Sequence, residues 1–204
     1  MNLITIDYEF GSGGSELGKI LSEKLGYEFY DNEIISAISQ RSGMDEQYIT
    51  NKLQNHEWKN VVAYPRRSMY FSNYINTSDI RLLTEQNSVL EEIAKRNKNC
   101  IIIGRNADIV LAKYKPFSVF VCATTESKLE RYKECGSLET QSKKARIRKM
   151  KHIDKVRAQT RMMMSGADWG NRAFYHLTVN TSERSFEDIA SAMAEFIKAW
   201  FRKK

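Results

Sequence analysis

Long apolar runs are absent from this chain of 204 residues, although 42% of its residues are hydrophobic. No stretch approaches the roughly 20 apolar residues that a membrane span requires, so we expect no membrane partner. The N-terminus has neither a basic segment nor a small-residue cleavage site, and this predicts that the chain has no signal peptide. A sequence of this length and hydrophobic content can instead build one well-packed domain with room for inserted lobes.

Cysteine and histidine are also scarce, with three residues of each. The cysteines are Cys100, Cys122 and Cys135, and their odd number and irregular spacing argue against a disulfide framework and against a zinc site. The histidines are scattered and form no pattern that is typical of a metal site or a catalytic triad. We therefore expect a protein of a reducing compartment, the cytoplasm.

Proline occurs only twice, and no internal repeat or low-complexity tract interrupts the chain. Short apolar segments that are typical of buried strands alternate with segments of helical periodicity. This alternation predicts a three-layer α/β fold, in which a parallel five-stranded sheet is covered by helices on both faces. The predicted strands span residues 3–7, 27–30, 100–103, 117–122 and 174–180.

Excess positive charge is confined to one segment. The whole chain carries a net charge of +7, yet nine basic residues and a single acid lie between Ser142 and Arg161. Such a segment suits a polyanion, either a nucleoside polyphosphate or a nucleic acid. Nucleic acid is the less favoured partner, because the segment lacks interleaved aromatic residues and the remaining chain is slightly acidic.

Only ten glycines occur, and three of them lie in the turn Gly11-Ser12-Gly13-Gly14-Ser15. The turn follows the first predicted strand and precedes the first predicted helix, where a phosphate-binding turn belongs. Glycines allow backbone N–H groups to converge on a phosphate, and the positive end of the helix dipole adds to the attraction. A plain tight turn between strand and helix is the structural alternative.

Two polar residues follow other predicted strands. Asp31 comes directly after the second strand, and Gly104-Arg105 comes directly after the third. Because the carboxyl ends of parallel strands meet at one edge of the sheet, we expect both side chains to face one cleft together with the glycine-rich turn. Each residue has a simpler alternative role, since Asp31 can cap the next helix and Arg105 can be a surface residue at a strand end.

These residues belong to a series of segments that resemble the cytidylate kinase-like family. The segments follow one another in family order across nearly the whole chain, so together they are far more specific than any one of them. They are Ile4–Gly26, Phe29–Ile35, Ile101–Asp108, Ile153–Ala158, Ser165–Gly170 and Tyr175–Ser182. The resemblance implies a single P-loop nucleotide kinase domain over residues 1–204, with a helical acceptor-binding lobe at 32–96 and a lid at 131–170.

The same resemblance implies an activity, which is ATP-dependent and Mg²⁺-assisted phosphoryl transfer to a small acceptor such as the nucleoside monophosphate CMP. In that case the donor phosphates would be held by Gly11, Ser12, Gly13, Gly14 and Ser15. The Ser15 hydroxyl would also bind Mg²⁺. The substrate-binding residues would be Asp31, Arg105 and Arg131, with Arg131 at the start of the lid.

The expected lid contains the candidate catalytic residues Asp154, Arg157 and Arg161. Their spacing of i, i+3 and i+7 places them on one face of a helix. The planar fork of arginine suits phosphate oxygens, and Asp154 can hold Arg157 in position. The resemblance implies that these arginines close over bound nucleotides and reach their phosphates.

One position departs from the usual phosphate-binding turn. Gly14 stands where a lysine normally reaches the β- and γ-phosphates of the donor. Lys19 lies farther along the helix and should point elsewhere. Two hypotheses therefore stay open: a kinase whose lid arginines replace the lysine, and a non-catalytic nucleotide or phosphate sensor that has lost transfer.

Overall fold

A computed structural model of the protein describes residues 1–55, 77–134 and 142–202. The two internal gaps fall in the expected acceptor lobe and in the expected lid, so those parts of the prediction lie outside the described residues. Among the helices that are described, none is long and apolar enough to cross a membrane.

Five strands form one parallel sheet. They are β1 (Leu3–Tyr8), β2 (Glu28–Tyr30), β3 (Cys100–Ile103), β4 (Phe117–Cys122) and β5 (Leu177–Asn180). Their spatial order is β2-β3-β1-β4-β5, and each neighbouring pair is parallel. The predicted fold class is confirmed, and β1 lies in the middle of the sheet.

Helices connect the strands and cover the sheet. In chain order they are α1 (Gly14–Leu25), α2 (Glu33–Ser42), α3 (Glu46–Asn55), α4 (Thr77–Lys95), α5 (Ala107–Val110), α6 (Thr125–Glu134), α7 (Lys143–Ser165) and α8 (Phe186–Phe201). Two short 3-10 turns span Ala112–Tyr114 and Arg172–Phe174. The basic segment of the sequence is thus almost entirely the helix α7.

Both faces of the sheet carry a hydrophobic core, because successive side chains along a strand point to opposite faces. Cys100 and Ile102 of β3 pack with buried residues of α2, α3 and α4 on one face. Ile101 and Ile103 pack with buried residues of α1 and α8 on the other face. The result is the three-layer arrangement that the alternation of strands and helices predicts.

The last strand begins later than the sequence predicts. The apolar pattern extends from residue 174, whereas β5 begins at Leu177. Asn171 accepts a hydrogen bond from the backbone N–H of Ala173 at 3.0 Å, and this cap stabilises the 3-10 turn Arg172–Phe174. The polar cap therefore sets the start of the strand, and hydrophobicity alone does not.

The strand order fixes where a ligand can bind. The neighbours of β1 are β3 on one side and β4 on the other, so a crevice opens beyond the carboxyl ends of the strands at this point. Tyr8, Tyr30 and Ile103 end β1, β2 and β3. The segments that follow these three residues consequently meet at one edge of the sheet.

Leu21 provides a test of the core on the α1 face. Its side chain is fully buried in the cluster that includes Ile4 and Ile197. Leu21→Ala should therefore leave a cavity and lower the free energy of unfolding by about 2–5 kcal/mol, measured by urea denaturation. The exposed Glu23 lies on the same helix, and Glu23→Ala should change this energy by less than about 0.5 kcal/mol. Equal losses in the two variants would contradict the packing.

Candidate active site

The turn between β1 and α1 is shaped to bind an anion. Gly11 and Gly13 have positive φ angles of 82° and 77°, which side-chain-bearing residues rarely adopt. Gly13 is the N-cap of α1, and no side chain caps the helix. The first N–H groups of a helix have no acceptor within it, so those at the start of α1 are available to an anion. Ser12 is buried, and its hydroxyl donates to the carbonyl oxygen of Val121 at 3.2 Å, which fixes the turn to β4.

Two aromatic side chains fill the space beside the glycines of the turn. A Cβ atom on Gly13 would lie 2.1 Å from Cζ of Phe186, and a Cβ atom on Gly14 would lie 2.3 Å from Cβ of Tyr8. Gly14 is helical and does not have a positive φ angle. The bar to a side chain at position 14 is therefore the side chain of Tyr8, whereas Gly13 is constrained by its backbone as well.

Ser15 and Asp31 lie in contact. The Ser15 hydroxyl donates a short hydrogen bond to the carboxylate of Asp31, so the side chain of Asp31 does not cap α2, which begins two residues later. A hydroxyl and a carboxylate oxygen are ligands that suit Mg²⁺, which usually binds one or two protein oxygens together with substrate phosphates and water. The pair thus fits the metal that the sequence predicts.

The segment after β3 has an unusual backbone. Gly104, Arg105 and Asn106 have successive positive φ angles of 62°, 63° and 51°. Such a conformation costs a residue with a side chain about 1–3 kcal/mol, and it persists where the surroundings enforce it. Gln86 of α4 is buried and donates from its side-chain amide to the carbonyl oxygen of Arg105 at 3.2 Å. This contact helps to hold Arg105 in a fixed direction.

Arg105 faces a cleft of about 130 Å³ at the carboxyl edge of the sheet. The cleft is lined by residues that include Asp7, Tyr8, Asp31, Gln86, Arg105, Asn106, Arg157 and Trp169. Burial lowers the pKa of the Arg105 guanidinium; the nearby carboxylate of Asp31 opposes this effect and the charge of Arg157 adds to it. Two guanidinium groups thus share a confined space, which favours a bound anion.

Arg157 reaches this cleft from α7 by lying on Tyr8. The centre of its guanidinium is 4.4 Å from the centre of the Tyr8 ring, and one N–H group donates to the backbone carbonyl oxygen of the same residue. Within residues 1–55, 77–134 and 142–202, this is the only hydrogen bond of the Arg157 guanidinium, and the Arg105 guanidinium has none. Both groups therefore have N–H donors to offer to phosphate oxygens.

Asp154 forms its hydrogen bond with the residue before the phosphate turn and not with Arg157. One carboxylate oxygen accepts from the backbone N–H of Phe10 at 2.7 Å. Burial raises the pKa of Asp154, although the Phe10 N–H group and the charges of Arg157 and Lys128 oppose the increase. The structure thus gives Asp154 a different hydrogen-bond partner from the one that helical spacing suggested.

Arg161 lies in the protein interior, away from the phosphate turn. Its side chain is 2% exposed and forms ion pairs with Asp7 at 3.2 Å and with Asp108 at 2.9 Å. The guanidinium also lies 5.1 Å from the centre of the Tyr175 ring. Two carboxylates thus neutralise the charge of Arg161 inside the fold, and Arg161 is not among the residues that line the cleft.

Arg131 lies beside the phosphate turn and is not among the residues that line the cleft. It donates to the backbone carbonyl oxygen of Thr181 at 2.6 Å and to that of Gly11 at 3.5 Å. Its guanidinium is 4.8 Å from the centre of the Phe186 ring. These contacts join the turn to the segment after β5 and to the start of α8.

Comparison with known proteins places this geometry in a family. A model of the cytidylate kinase-like family matches residues 3–183. The chain belongs to that family. A protein named cytidylate kinase 1 from Borreliella afzelii (strain PKo) is 26% identical over 225 residues, and one of the same name from Borrelia garinii subsp. bavariensis (strain ATCC BAA-2496 / DSM 23469 / PBi) is 25% identical over 223. Each alignment covers 95% of this chain and 95% of the relative.

Solved structures share the fold. An uncharacterized protein from Eubacterium ventriosum ATCC 27560 is 19% identical with a TM-score of 0.68, and the match covers 98% of this chain and 99% of the other. Shikimate kinase from Acinetobacter baumannii, in complex with shikimate, is 18% identical with a TM-score of 0.56, and the match covers 98% and 96%. The cytidylate kinase-like chain therefore has the P-loop kinase fold that the sequence predicts.

Some residues around the site of this cytidylate kinase-like protein were not recognised in the sequence, among them Asp7, Tyr8, Gln86 and Lys128. The ammonium group of Lys128 is 2.6 Å from the Glu9 carboxylate and 4.0 Å from that of Asp154, beside the turn. Asp7 and Tyr8 end β1, and this position at the carboxyl edge of a central strand was the available signal. Gln86 and Lys128 lie on helices without any local pattern that marks them.

Asp7 gives this cytidylate kinase-like protein a pH-dependent stability. Burial and the neighbouring Asp108 raise the pKa of Asp7 from 3.8 to about 6, although Arg161 and the Tyr175 hydroxyl oppose the increase. Between about pH 4 and pH 6 the unfolded chain has lost this proton while the folded protein keeps it, so the contribution of Asp7 to stability falls as the pH rises.

Chemical denaturation at a series of pH values tests this assignment. The free energy of unfolding of the wild type, minus that of Asp7→Asn, should decrease from pH 4 to pH 6 and become constant above about pH 7. A difference that stays constant or increases over this range would contradict the raised pKa.

Proposed function

We propose that this protein transfers the γ-phosphoryl group of ATP to a small anionic acceptor, with a nucleoside monophosphate such as CMP as the first candidate. The observation that supports this most strongly is the pair Arg105 and Arg157. Their guanidinium groups share one cleft and keep hydrogen-bond donors available, close to a turn with free helix N–H groups. The family relationship supports a nucleotide kinase in general.

The proposed transfer needs no covalent enzyme intermediate. An oxygen of the acceptor phosphate attacks the γ-phosphorus, and the bond between that phosphorus and the β–γ bridging oxygen breaks, so that its electron pair leaves with ADP. A phosphate monoester is largely ionised at pH 7, and the attack therefore needs no general base. The protein contributes the relative position of the two reactants and neutralises their charge.

Each part of the site has a role in this proposal. The backbone of Gly11–Ser15 holds the donor phosphates, and Ser15 with Asp31 holds Mg²⁺, which neutralises phosphate charge when bound. Arg105 binds the acceptor phosphate, and Arg157 contacts the transferring group. Residues 32–96 and 131–170 act as acceptor lobe and lid, and their helices α3 and α7 already contact each other.

The remaining candidates support the site indirectly in this proposal. Asp154 and Arg131 hold the backbone of the turn at Phe10 and Gly11. Arg161 fixes α7 against Asp7 and Asp108. None of these three contacts the reacting atoms.

A nucleotide or phosphate sensor without transfer activity is the second candidate. The observation that favours it is at Gly14, where the usual lysine is missing and Tyr8 leaves no room for one. A sensor would bind nucleotide through the same turn and release no ADP with any acceptor.

A panel of nucleoside monophosphates with ATP and Mg²⁺ decides between the two candidates through the release of ADP. We expect turnover with at least one acceptor. Arg157→Ala should lower kcat by about 10²–10⁴-fold, because a transition-state arginine is worth several orders of magnitude in phosphoryl transfer. Arg105→Ala should mainly raise KM for the acceptor. Arg148→Ala, an exposed change on α7, should keep wild-type kinetics. Tight nucleotide binding without turnover across the panel would identify a sensor.

The metal site has its own test in a magnesium titration. Ser15→Ala and Asp31→Asn each remove one oxygen of the pair, so the Mg²⁺ concentration that gives half-maximal activity should rise by about tenfold. Ser39→Ala is the matched control, since Ser39 lies on α2 and its hydroxyl donates to the carbonyl oxygen of Met44, beyond the end of that helix. Unchanged magnesium dependence in both site variants would remove Ser15 and Asp31 from the metal site.

A further inference from the structure

We infer that Tyr8 is a positioning residue, which lets Arg157 take the place of the lysine that is missing at position 14. The catalytic consequence of this inference rests on the proposed kinase function. Its structural part concerns nucleotide binding and can be tested without turnover.

The first observation is the space beside Gly14. A Cβ atom on Gly14 would lie 2.3 Å from Cβ, 2.4 Å from Cγ and 3.0 Å from Cδ2 of Tyr8. These atoms belong to the stem and ring of Tyr8, which cannot move aside without shifting the end of β1. A side chain at position 14 therefore conflicts with the Cβ atom of residue 8, and the ring of Tyr8 adds to the conflict.

The second observation is that the same Tyr8 binds Arg157 in two ways. The guanidinium lies 4.4 Å from the ring centre, and an N–H group donates to the backbone carbonyl oxygen of Tyr8. The ring thus has Gly14 and Arg157 as neighbours. It occupies the volume of the absent lysine and at the same time brings another cation to the start of α1.

The hydrogen bond to the Tyr8 carbonyl oxygen leaves most N–H groups of the Arg157 guanidinium available. A guanidinium has five N–H donors, and the remaining ones have no hydrogen-bond partner within the described part of the chain. Arg157 also lines the cleft with Arg105 and Asp31. A cation held in this way can contact phosphate oxygens between the turn and the acceptor site, where the usual lysine acts.

The ring matters because arginine has a long, flexible side chain. Without a surface on which to lie, Arg157 would lose part of its orientation, and ordering it again would weaken its contact with the phosphates. A cation on an aromatic face contributes enough to change an equilibrium by about 2- to 30-fold, depending on how far it is removed from water.

A double-mutant cycle tests the inference. Tyr8→Leu removes the ring but keeps apolar volume against Gly14, and Tyr8→Phe keeps the ring. We expect Tyr8→Leu to lower kcat by about 3- to 30-fold. Tyr8→Phe should stay within about twofold of the wild type. In an Arg157→Ala background, Tyr8→Leu should cause no further loss. If the kcat losses of the two single variants multiply in the double variant, Tyr8 acts independently of Arg157, and the inference is overturned.

The affinity for a Mg²⁺-bound non-hydrolysable ATP analogue, measured by calorimetry, separates this inference from the proposed function. If the wild type shows no turnover, the kinase proposal fails. The Tyr8–Arg157 unit is still supported if Tyr8→Leu raises the dissociation constant in the wild type but not in the Arg157→Ala background. If turnover is present but the two substitutions multiply, the kinase proposal stands and the positioning role fails. Thermal melting checks that each variant is folded, and Tyr8→Met provides a second ring-free variant if Tyr8→Leu does not fold.

An exchange of cations gives an independent test. In the Arg157→Ala background, Gly14→Lys together with Tyr8→Gly should restore part of the affinity for a Mg²⁺-bound non-hydrolysable ATP analogue, because glycine at position 8 also removes the Cβ atom that lies nearest to position 14. Gly14→Lys with Tyr8 intact should restore none. Equal recovery with and without Tyr8 would show that Tyr8 does not exclude a side chain at position 14, and this would overturn the inference.

Discussion

The ion pairs of Arg161 determine how α7 lies on the sheet. An arginine with 2% exposure must be neutralised, and Asp7 at the end of β1 and Asp108 in α5 provide the two carboxylates. One helical turn before Arg161, Arg157 meets Tyr8, and about one turn before that, Asp154 meets the N–H group of Phe10. Three residues along α7 are thus matched with the segment that leads from β1 into the phosphate turn. The buried ion pairs fix this register, and the cation of the cleft depends on it.

Much of this architecture could be predicted from local patterns. The alternation of short apolar strands with amphipathic helices predicts the parallel sheet, and the glycines between β1 and α1 predict the turn, because both signals depend on neighbouring residues only. The contacts of the side chains of Asp154, Arg157 and Arg161 could not be predicted in the same way. Helical spacing places them on one face, but their partners Phe10, Tyr8 and Asp7 belong to a distant strand end, and only the packed fold shows which side chain meets which.

The same reasoning explains why Gly14 is ambiguous in the sequence. A glycine at the start of a helix can serve a positive φ angle, a close approach of a ligand or a close approach of another side chain. The structure selects the third explanation, since Gly14 is helical and Tyr8 lies against it. The absence of a side chain at position 14 and the close approach of residue 8 are therefore one structural feature and not two.

The backbone after β3 has a consequence for how this protein can change. Arg105 and Asn106 hold left-handed conformations that a glycine would adopt without strain. Selection for stability alone would favour glycine at position 105, and such a protein would fold more firmly but lose its arginine in the cleft. If Arg105 binds the acceptor as we propose, stability and ligand recognition oppose each other at this residue, and a more stable protein would bind its ligand less well.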